Sequence, residues 1–118
     1  MFLGKEDILS VKDLKTEFVN VPEWGGDVRV SELTGKGLNK FQEKVFFGKG
    51  KDHGANYANM TAWLVVLTVV DEQGNRIFLD ADVDMVGGKG AKALGRIFEV
   101  AQKLNAIGKD EVDALTKN

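Results

Sequence analysis

The chain has 118 residues, of which 43% are hydrophobic and 29% are charged, and its formal net charge is −2. A chain of this length forms one domain and can bury roughly two thirds of its unfolded surface in a single core. The nearly balanced charge argues against a nucleic-acid-binding domain, which is usually strongly basic. Because there is no cysteine, disulfides, thiolate catalysis and cysteine-based metal sites are excluded.

Residues 1–11 carry acidic side chains where a signal peptide would carry basic ones. The longest apolar run, residues 62–70, is too short to cross a bilayer. We therefore expect a soluble intracellular protein with no membrane partner. The pattern of residues 1–11 leaves a short strand and a helical turn equally open.

Residues 13–31, DLKTEFVNVPEWGGDVRVS, predict two strands joined by a turn. Valines alternate along both halves, which places them on one face of each strand. The connection has strong turn chemistry, because glycine reaches positive φ at little cost. It consists of Pro22, Glu23, Trp24, Gly25 and Gly26. We expect the hairpin to span about residues 14–33.

Trp24 needs a surface to cover its large indole, which the turn alone cannot provide. Aromatic side chains are enriched in binding hot spots, so the turn is a candidate interface. Packing of the indole back onto its own domain is the alternative. Phe46 and Phe47 end the next predicted helix, and one of them could join a self-association surface. The candidate interface residues are Pro22, Glu23, Trp24, Gly25, Gly26 and Phe47.

A helix is predicted from Gly35 or Gly37 to Phe47, with Thr34 as its N-cap. Leu38, Phe41 and Val45 share its apolar face. A lysine strip lies on another face and continues into the following loop. Its members are Lys36, Lys40, Lys44, Lys49 and Lys51. We interpret the strip as a solvated surface, with an acidic protein partner or nucleic acid as the alternatives.

Residues 48–56 predict a flexible surface loop, because they combine three glycines with no large apolar side chain.

The secondary structure of residues 57–70 is ambiguous. Apolar positions at helical spacing favour a central helix with Trp63 in the core. The run from Trp63 to Val70 is also rich in β-branched residues, however, and could form a second hairpin with a turn at residues 71–75 and a strand at residues 76–79. We favour the helix.

Asp80 is predicted to cap a short helix that runs through Val86 and is stopped by Gly87 and Gly88. The longest helix follows at about residues 89–106, with an apolar stripe at the spacing of a helix face. Gly108 is expected at its C′ position, and residues 109–118 are expected to fray. The predicted fold class is α+β, with an N-terminal β-hairpin packed on a small set of α-helices in a single domain, 1–118.

Chemical motifs fail on inspection, so we assign no catalytic, cofactor-binding or metal-binding residue and expect no enzymatic activity. The acidic run from Asp80 to Asp84 resembles the start of a calcium loop, but Met85 and Ala91 stand where glycine and glutamate are required. His53 is the only histidine and lies in the glycine-rich loop. The glycine clusters at residues 48–51 and 87–90 do not match a phosphate-binding loop.

Three blocks occur in order over residues 10–108: VPEWGGDVRVSELTGK, VVDEQGNRIFLDADVDMVG and ALGRIFEVAQKLNAI. Together they resemble the tail assembly chaperones of long-tailed, siphovirus-type bacteriophages. The resemblance implies a non-enzymatic factor of the bacterial cytoplasm, encoded by a phage or prophage and absent from the mature virion. It also implies coating of the tape measure protein, recruitment of tail-tube protein, and self-association into oligomers or helical arrays.

Two other classes of function remain open at this point. One is a structural tail protein, such as a tube or completion component. The other is a small regulator that binds nucleic acid through the lysine strip.

Overall fold

Helices and strands follow one another along the chain in a computed structural model, which describes residues 1–47, 54–55 and 59–107. In chain order they are α1 Lys5–Ser10, β1 Thr16–Val21, β2 Gly26–Ser31, α2 Gly35–Val45, β3 Phe46–Phe47, β4 Gly54–Ala55, α3 Met60–Thr68, β5 Val69–Val70, α4 Val83–Gly87 and α5 Ala91–Leu104. Single 3-10 turns cover Pro22–Trp24 and Asp80–Asp82. The α+β prediction is confirmed, and the open choice for residues 1–11 resolves as the short helix α1.

The main sheet has three antiparallel strands in the order β1-β2-β5, so β1 is an edge strand. Val19 pairs with Val28, and Val21 pairs with Gly26. The predicted hairpin is therefore confirmed, with one correction. Gly26 is the first residue of β2 rather than part of the connection, because its backbone already pairs across the sheet. Strands β3 and β4 form a separate two-stranded pair.

Helix α3 lies at the centre of the domain, so the helical interpretation of residues 57–70 is correct for Met60–Thr68, while residues 57–58 lie outside the described residues. Seven of its nine residues are buried, and α2, α4 and α5 pack around it. This burial overrides the strand preference of its β-branched residues. Only Val69 and Val70 extend into a strand, which pairs with β2. The buried hydroxyl of Thr68 donates to the Leu64 carbonyl oxygen at 2.6 Å, so burial of this group leaves no unpaired donor.

Trp63 is partly buried at the margin of the core rather than enclosed by it. The Lys44 ammonium lies 5.5 Å from the centroid of its ring. This distance is within the range of a cation–π contact. The prediction of a core tryptophan is thus correct for only part of the side chain.

Helix α5 packs against β1, β2 and α3 and so joins the sheet to the helical part of the core. Its predicted stripe is confirmed: Leu94, Ile97 and Ala101 are buried, while Phe98 and Leu104 are half-buried against the core. The sheet contributes Val19, Val21 and Val30 from the facing side.

Asp80 does not cap a helix, contrary to the prediction. Asp80 is instead the first residue of the 3-10 turn Asp80–Asp82, which begins after Leu79. The Leu79 backbone N–H donates to the Asp82 carboxylate at 2.8 Å. The Asp80 carboxylate instead accepts from the Lys40 ammonium and the Arg76 guanidinium. These two cations hold the pKa of Asp80 below its usual value, mainly through the hydrogen bond from Lys40.

The predicted C′ position of α5 is also wrong, since Asn105 is the C-cap and the residue after it, Ala106, has a left-handed conformation with φ of 50°. Its N–H donates to the Lys103 carbonyl oxygen, and the Ile107 N–H donates to that of Gln102 at 3.0 Å. This is the Schellman pattern, which here allows Ile107 to be buried. Gly108 itself and the predicted tail at 109–118 lie outside the described residues, as does most of the predicted loop at 48–56.

Truncating the centre of α3 should be costly, because Leu64 is fully buried. We expect Leu64→Ala to lower the free energy of unfolding by about 3–5 kcal/mol through lost apolar contact and a residual cavity. Urea unfolding measures the change. The matched control is Leu79→Ala at a side chain that is 71% exposed, expected within about 0.5 kcal/mol of wild type. Equal effects at the two positions would contradict a core centred on α3.

Glycine at position 106 should stabilise the protein. Alanine with φ of 50° bears a steric cost of roughly 1–2 kcal/mol that glycine avoids. We expect Ala106→Gly to raise the melting temperature by roughly 4 °C, measured by circular dichroism. Ala91→Gly, at the first residue of α5, serves as the control and should lower it slightly. A fall in both variants would rule out the left-handed cap.

Candidate protein-interaction site

The tip of the hairpin is held in one conformation by its own backbone. Pro22 opens the 3-10 turn, where its ring presets the required φ. Gly25 closes the turn with φ of 76°, a region in which other residues are strained. Its N–H donates to the Pro22 carbonyl oxygen at 3.1 Å. Trp24 therefore leaves the sheet in a fixed direction.

A salt bridge fastens this tip to α5. The Arg96 guanidinium donates through Nε to Glu23 Oε1 at 2.9 Å and through Nη2 to Oε2 at 3.0 Å. Such a two-point contact fixes orientation as well as distance. The hydrogen bond from Arg96 is the main reason that the pKa of Glu23 lies below its usual value, with a smaller contribution from the charge of Lys92. Because both residues are exposed, we regard the pair chiefly as a positioning device.

Trp24 lines an open groove of about 640 Å³ together with residues that lie before, within and just after α4. The lining residues are Trp24, Phe78, Asp82, Met85, Val86 and Lys89, and we call this the Trp24 groove. Trp24 is 39% exposed and Met85 is 69% exposed. The indole thus rests partly on its own domain, while its remaining surface and the Met85 thioether are open to a partner.

Five of the six predicted interface residues are consecutive in the chain and lie at the hairpin tip. Pro22, Glu23, Trp24 and Gly25 form the tip, and Gly26 begins the adjoining strand. Phe47 lies in β3, where its backbone pairs with Gly54. The position of the Phe47 side chain falls outside what the structure describes.

Sequence reasoning missed the other side of the groove. Phe78 and Met85 line this side of the groove, and neither is among the interface residues that the sequence predicts. The available signal was that Met85 lies off the Val83 and Val86 face of a short helix, which leaves an apolar side chain directed away from the core. Arg96 gave no such signal, since its partner Glu23 is 73 residues away along the chain.

Two lysines of the strip make contacts within the chain. Lys40 pairs with Asp80, and Lys44 lies over Trp63. Lys36 is exposed, and Lys49 and Lys51 lie outside the described residues. Two of the three described lysines are thus committed to internal contacts, which favours a structural role over phosphate binding.

The described parts of the chain contain neither a metal-binding cluster nor a membrane-spanning helix. Over residues 1–47, 54–55 and 59–107, no three acidic or histidine side chains cluster closely enough to hold a metal ion. In the same residues, every helix is too short or too polar to cross a membrane.

Removing the Glu23 charge should change how stability depends on pH. Because the folded-state pKa of Glu23 is lowered from 4.5, the pair stabilises the fold above that value and its contribution disappears as pH falls through the lowered pKa. We therefore expect Glu23→Gln to be less stable than wild type at neutral pH, with the difference shrinking well below pH 4.5. Urea midpoints measure this. Glu17→Gln, at another exposed glutamate on β1, is the control, and a pH-independent deficit in Glu23→Gln would contradict the role of the ion pair.

Comparisons with known proteins agree with the resemblance seen in the sequence. The sequence profile of the family described as phage tail assembly chaperone matches residues 8–117. Among solved structures, the bacteriophage HK97 tail assembly chaperone is similar in fold, with a TM-score of 0.59 and 20% sequence identity. That alignment covers 84% of this chain and 90% of the HK97 chain. No curated protein sequence matches the chain. Since the family match spans nearly the whole sequence, the chain belongs to the phage tail assembly chaperones, a family of assembly factors rather than enzymes.

Proposed function

We propose that many copies of this chaperone coat the tape measure protein in the bacterial cytoplasm, keep it soluble and recruit tail-tube subunits. The observation that carries this proposal is the Trp24 groove, an open apolar surface on a rigidly held turn of a family member. An exposed apolar groove in a small folded domain marks a surface that another protein covers.

The Trp24 groove suits contact between neighbouring copies in such a coat. Trp24 offers a large, rigid contact surface, and Met85 is unbranched and adapts to the shape of a partner. Their joint surface is small beside the roughly 800 Å² that each partner contributes to a stable interface. Each contact is therefore modest by itself, and a coat gains strength only from the number of copies arranged on one tape measure.

Modest contacts explain how the coat is removed. As tail-tube subunits polymerise, they replace the chaperone copy by copy, and no single step has to break a strong interface. The chaperone then remains in the cytoplasm and does not enter the virion. The exposed edge of β1 provides a second place for pairing with another chain.

The test is co-expression with the tape measure protein encoded in the same gene cluster, followed by size-exclusion chromatography with light scattering. We expect a soluble complex with many chaperone copies per tape measure. Trp24→Ala should weaken the contact between copies roughly 30-fold, as for a typical aromatic hot spot, and lower the copy number in the complex.

The matched control is Ile77→Ala, a side chain that is 54% exposed but does not line the groove. It should behave as wild type. If the tape measure stays insoluble beside the wild-type chaperone, or if the protein is a stoichiometric component of purified virions, the coating function is wrong. In the second case a structural tail protein is the better description.

A further inference from the structure

The first eleven residues form an apolar arm that the domain does not cover. None of the residues of α1 is buried, and Leu9 is 74% exposed. The other large apolar side chains of residues 1–11 are also exposed: Met1, Phe2, Leu3, Ile8 and Val11. The N-terminus of α1 is nevertheless stabilised, because the Asp7 carboxylate accepts a hydrogen bond from the Gly4 N–H at 2.9 Å. We call residues 1–11 the arm.

The arm is amphipathic over its helical part. With about 100° between successive residues, Ile8 and Leu9 flank Lys5 on one side of α1. Glu6 and Asp7 fall on the opposite side. A short helix that presents two apolar side chains around a lysine is the kind of ligand that suits a groove with apolar walls and an acidic side chain, here Asp82.

The arm and the Trp24 groove lie at opposite ends of β1. The arm enters the sheet at Thr16, and the groove begins at Trp24, beyond Val21. Six residues of strand separate these ends by about 20 Å. The linker, residues 11–15, spans at most about 17 Å. It would have to run back fully extended along β1 to bring α1 to the groove of the same chain.

We propose that the arm of one copy docks in the Trp24 groove of the next copy. We call this contact the arm–groove joint. It is head-to-tail, because it uses a different surface on each copy, and it therefore extends into an open array instead of closing as a dimer. Charges at the two surfaces are complementary. The acidic side of α1 meets Lys89 on the groove, with Lys92 close to Glu23 beside it, while Lys5 meets Asp82.

This inference rests on the proposed coat and names the contact that builds it. A six-residue helix covers much less than the roughly 800 Å² of a stable interface. The array therefore forms at high local concentration, as on a tape measure, and comes apart when copies are removed. Exposure of the arm in the single chain is the consequence of its partner surface lying on another copy.

Cross-linking tests the joint directly, because the chain has no cysteine. Leu9→Cys and Met85→Cys are prepared as separate proteins, mixed in equal amounts and oxidised, so any disulfide between positions 9 and 85 joins two copies. We expect this heterodimer to be the main product. Leu9→Cys mixed with Ile77→Cys, exposed but outside the groove, should give less than a tenth as much. Equal yields from the two mixtures would overturn the joint.

A mixing experiment tests whether the joint is head-to-tail. Wild type should grow in mass with concentration in light scattering, whereas Leu9→Asp and Met85→Asp should each remain monomeric. Their equimolar mixture should give dimers and nothing larger, since each pair keeps one intact arm and one intact groove. Both positions are exposed, so folding should be unaffected, and circular dichroism verifies it. Retention of the wild-type assembly by either variant, or a monomeric wild type at high concentration, would overturn the proposal.

These outcomes are separable from failure of the proposed function. A wild-type chain that stays monomeric yet solubilises the tape measure overturns the arm–groove joint alone. A wild-type chain that forms the arm–groove array but leaves the tape measure insoluble supports the joint and overturns the coating function.

Discussion

Burial of α3 is the constraint on which the rest of the structure depends. Its apolar side chains point in every direction around the helix, so it is stable only when other elements enclose it. Helices α2, α4 and α5 do so, and α5 in turn packs on the inner face of the hairpin. Once α5 is fixed in this way, its outer side places Arg96 within reach of Glu23. The packing of α3 thus sets the position of the candidate interface, although α3 takes no part in that interface.

The hairpin tip combines rigidity with exposure. Backbone restraints at Pro22 and Gly25 and the ion pair to Arg96 limit the conformations available to the turn, which reduces the entropy lost when a partner binds. Trp24 nonetheless keeps more than a third of its surface in solvent. A tryptophan that is held rigidly and still keeps this much surface in solvent is the reason for proposing a partner at the hairpin tip.

The sequence predicted those parts of the fold that local periodicity determines. Alternating valines defined the hairpin, and the apolar stripe defined α5. Periodicity could not decide α3, because a helix that is buried all round has no contrasting face. The role of Asp80 depends on Lys40, forty residues away, and the end of α5 depends on where Ile107 finds a place in the core. Neither is visible in a local pattern.

The candidate site, like the fold, could be predicted from the sequence only in part. Trp24 could be singled out because its turn cannot cover it, but the groove also needs Phe78 and Met85, which only the folded chain brings near. The arm showed its apolar side chains in the sequence, yet its lack of a covering surface is a property of the structure.

Hydrogen–deuterium exchange of the chaperone, alone and in its complex with the tape measure protein, tests the central claim most directly. The claim is that copies assemble through the hairpin tip while the core around α3 stays unchanged. It predicts slower exchange in the complex at residues 22–26, at residues 85–89 and in the arm, with α3 equally protected in both states. Protection confined to other surfaces, with the tip and arm exchanging as in the free chain, would contradict it.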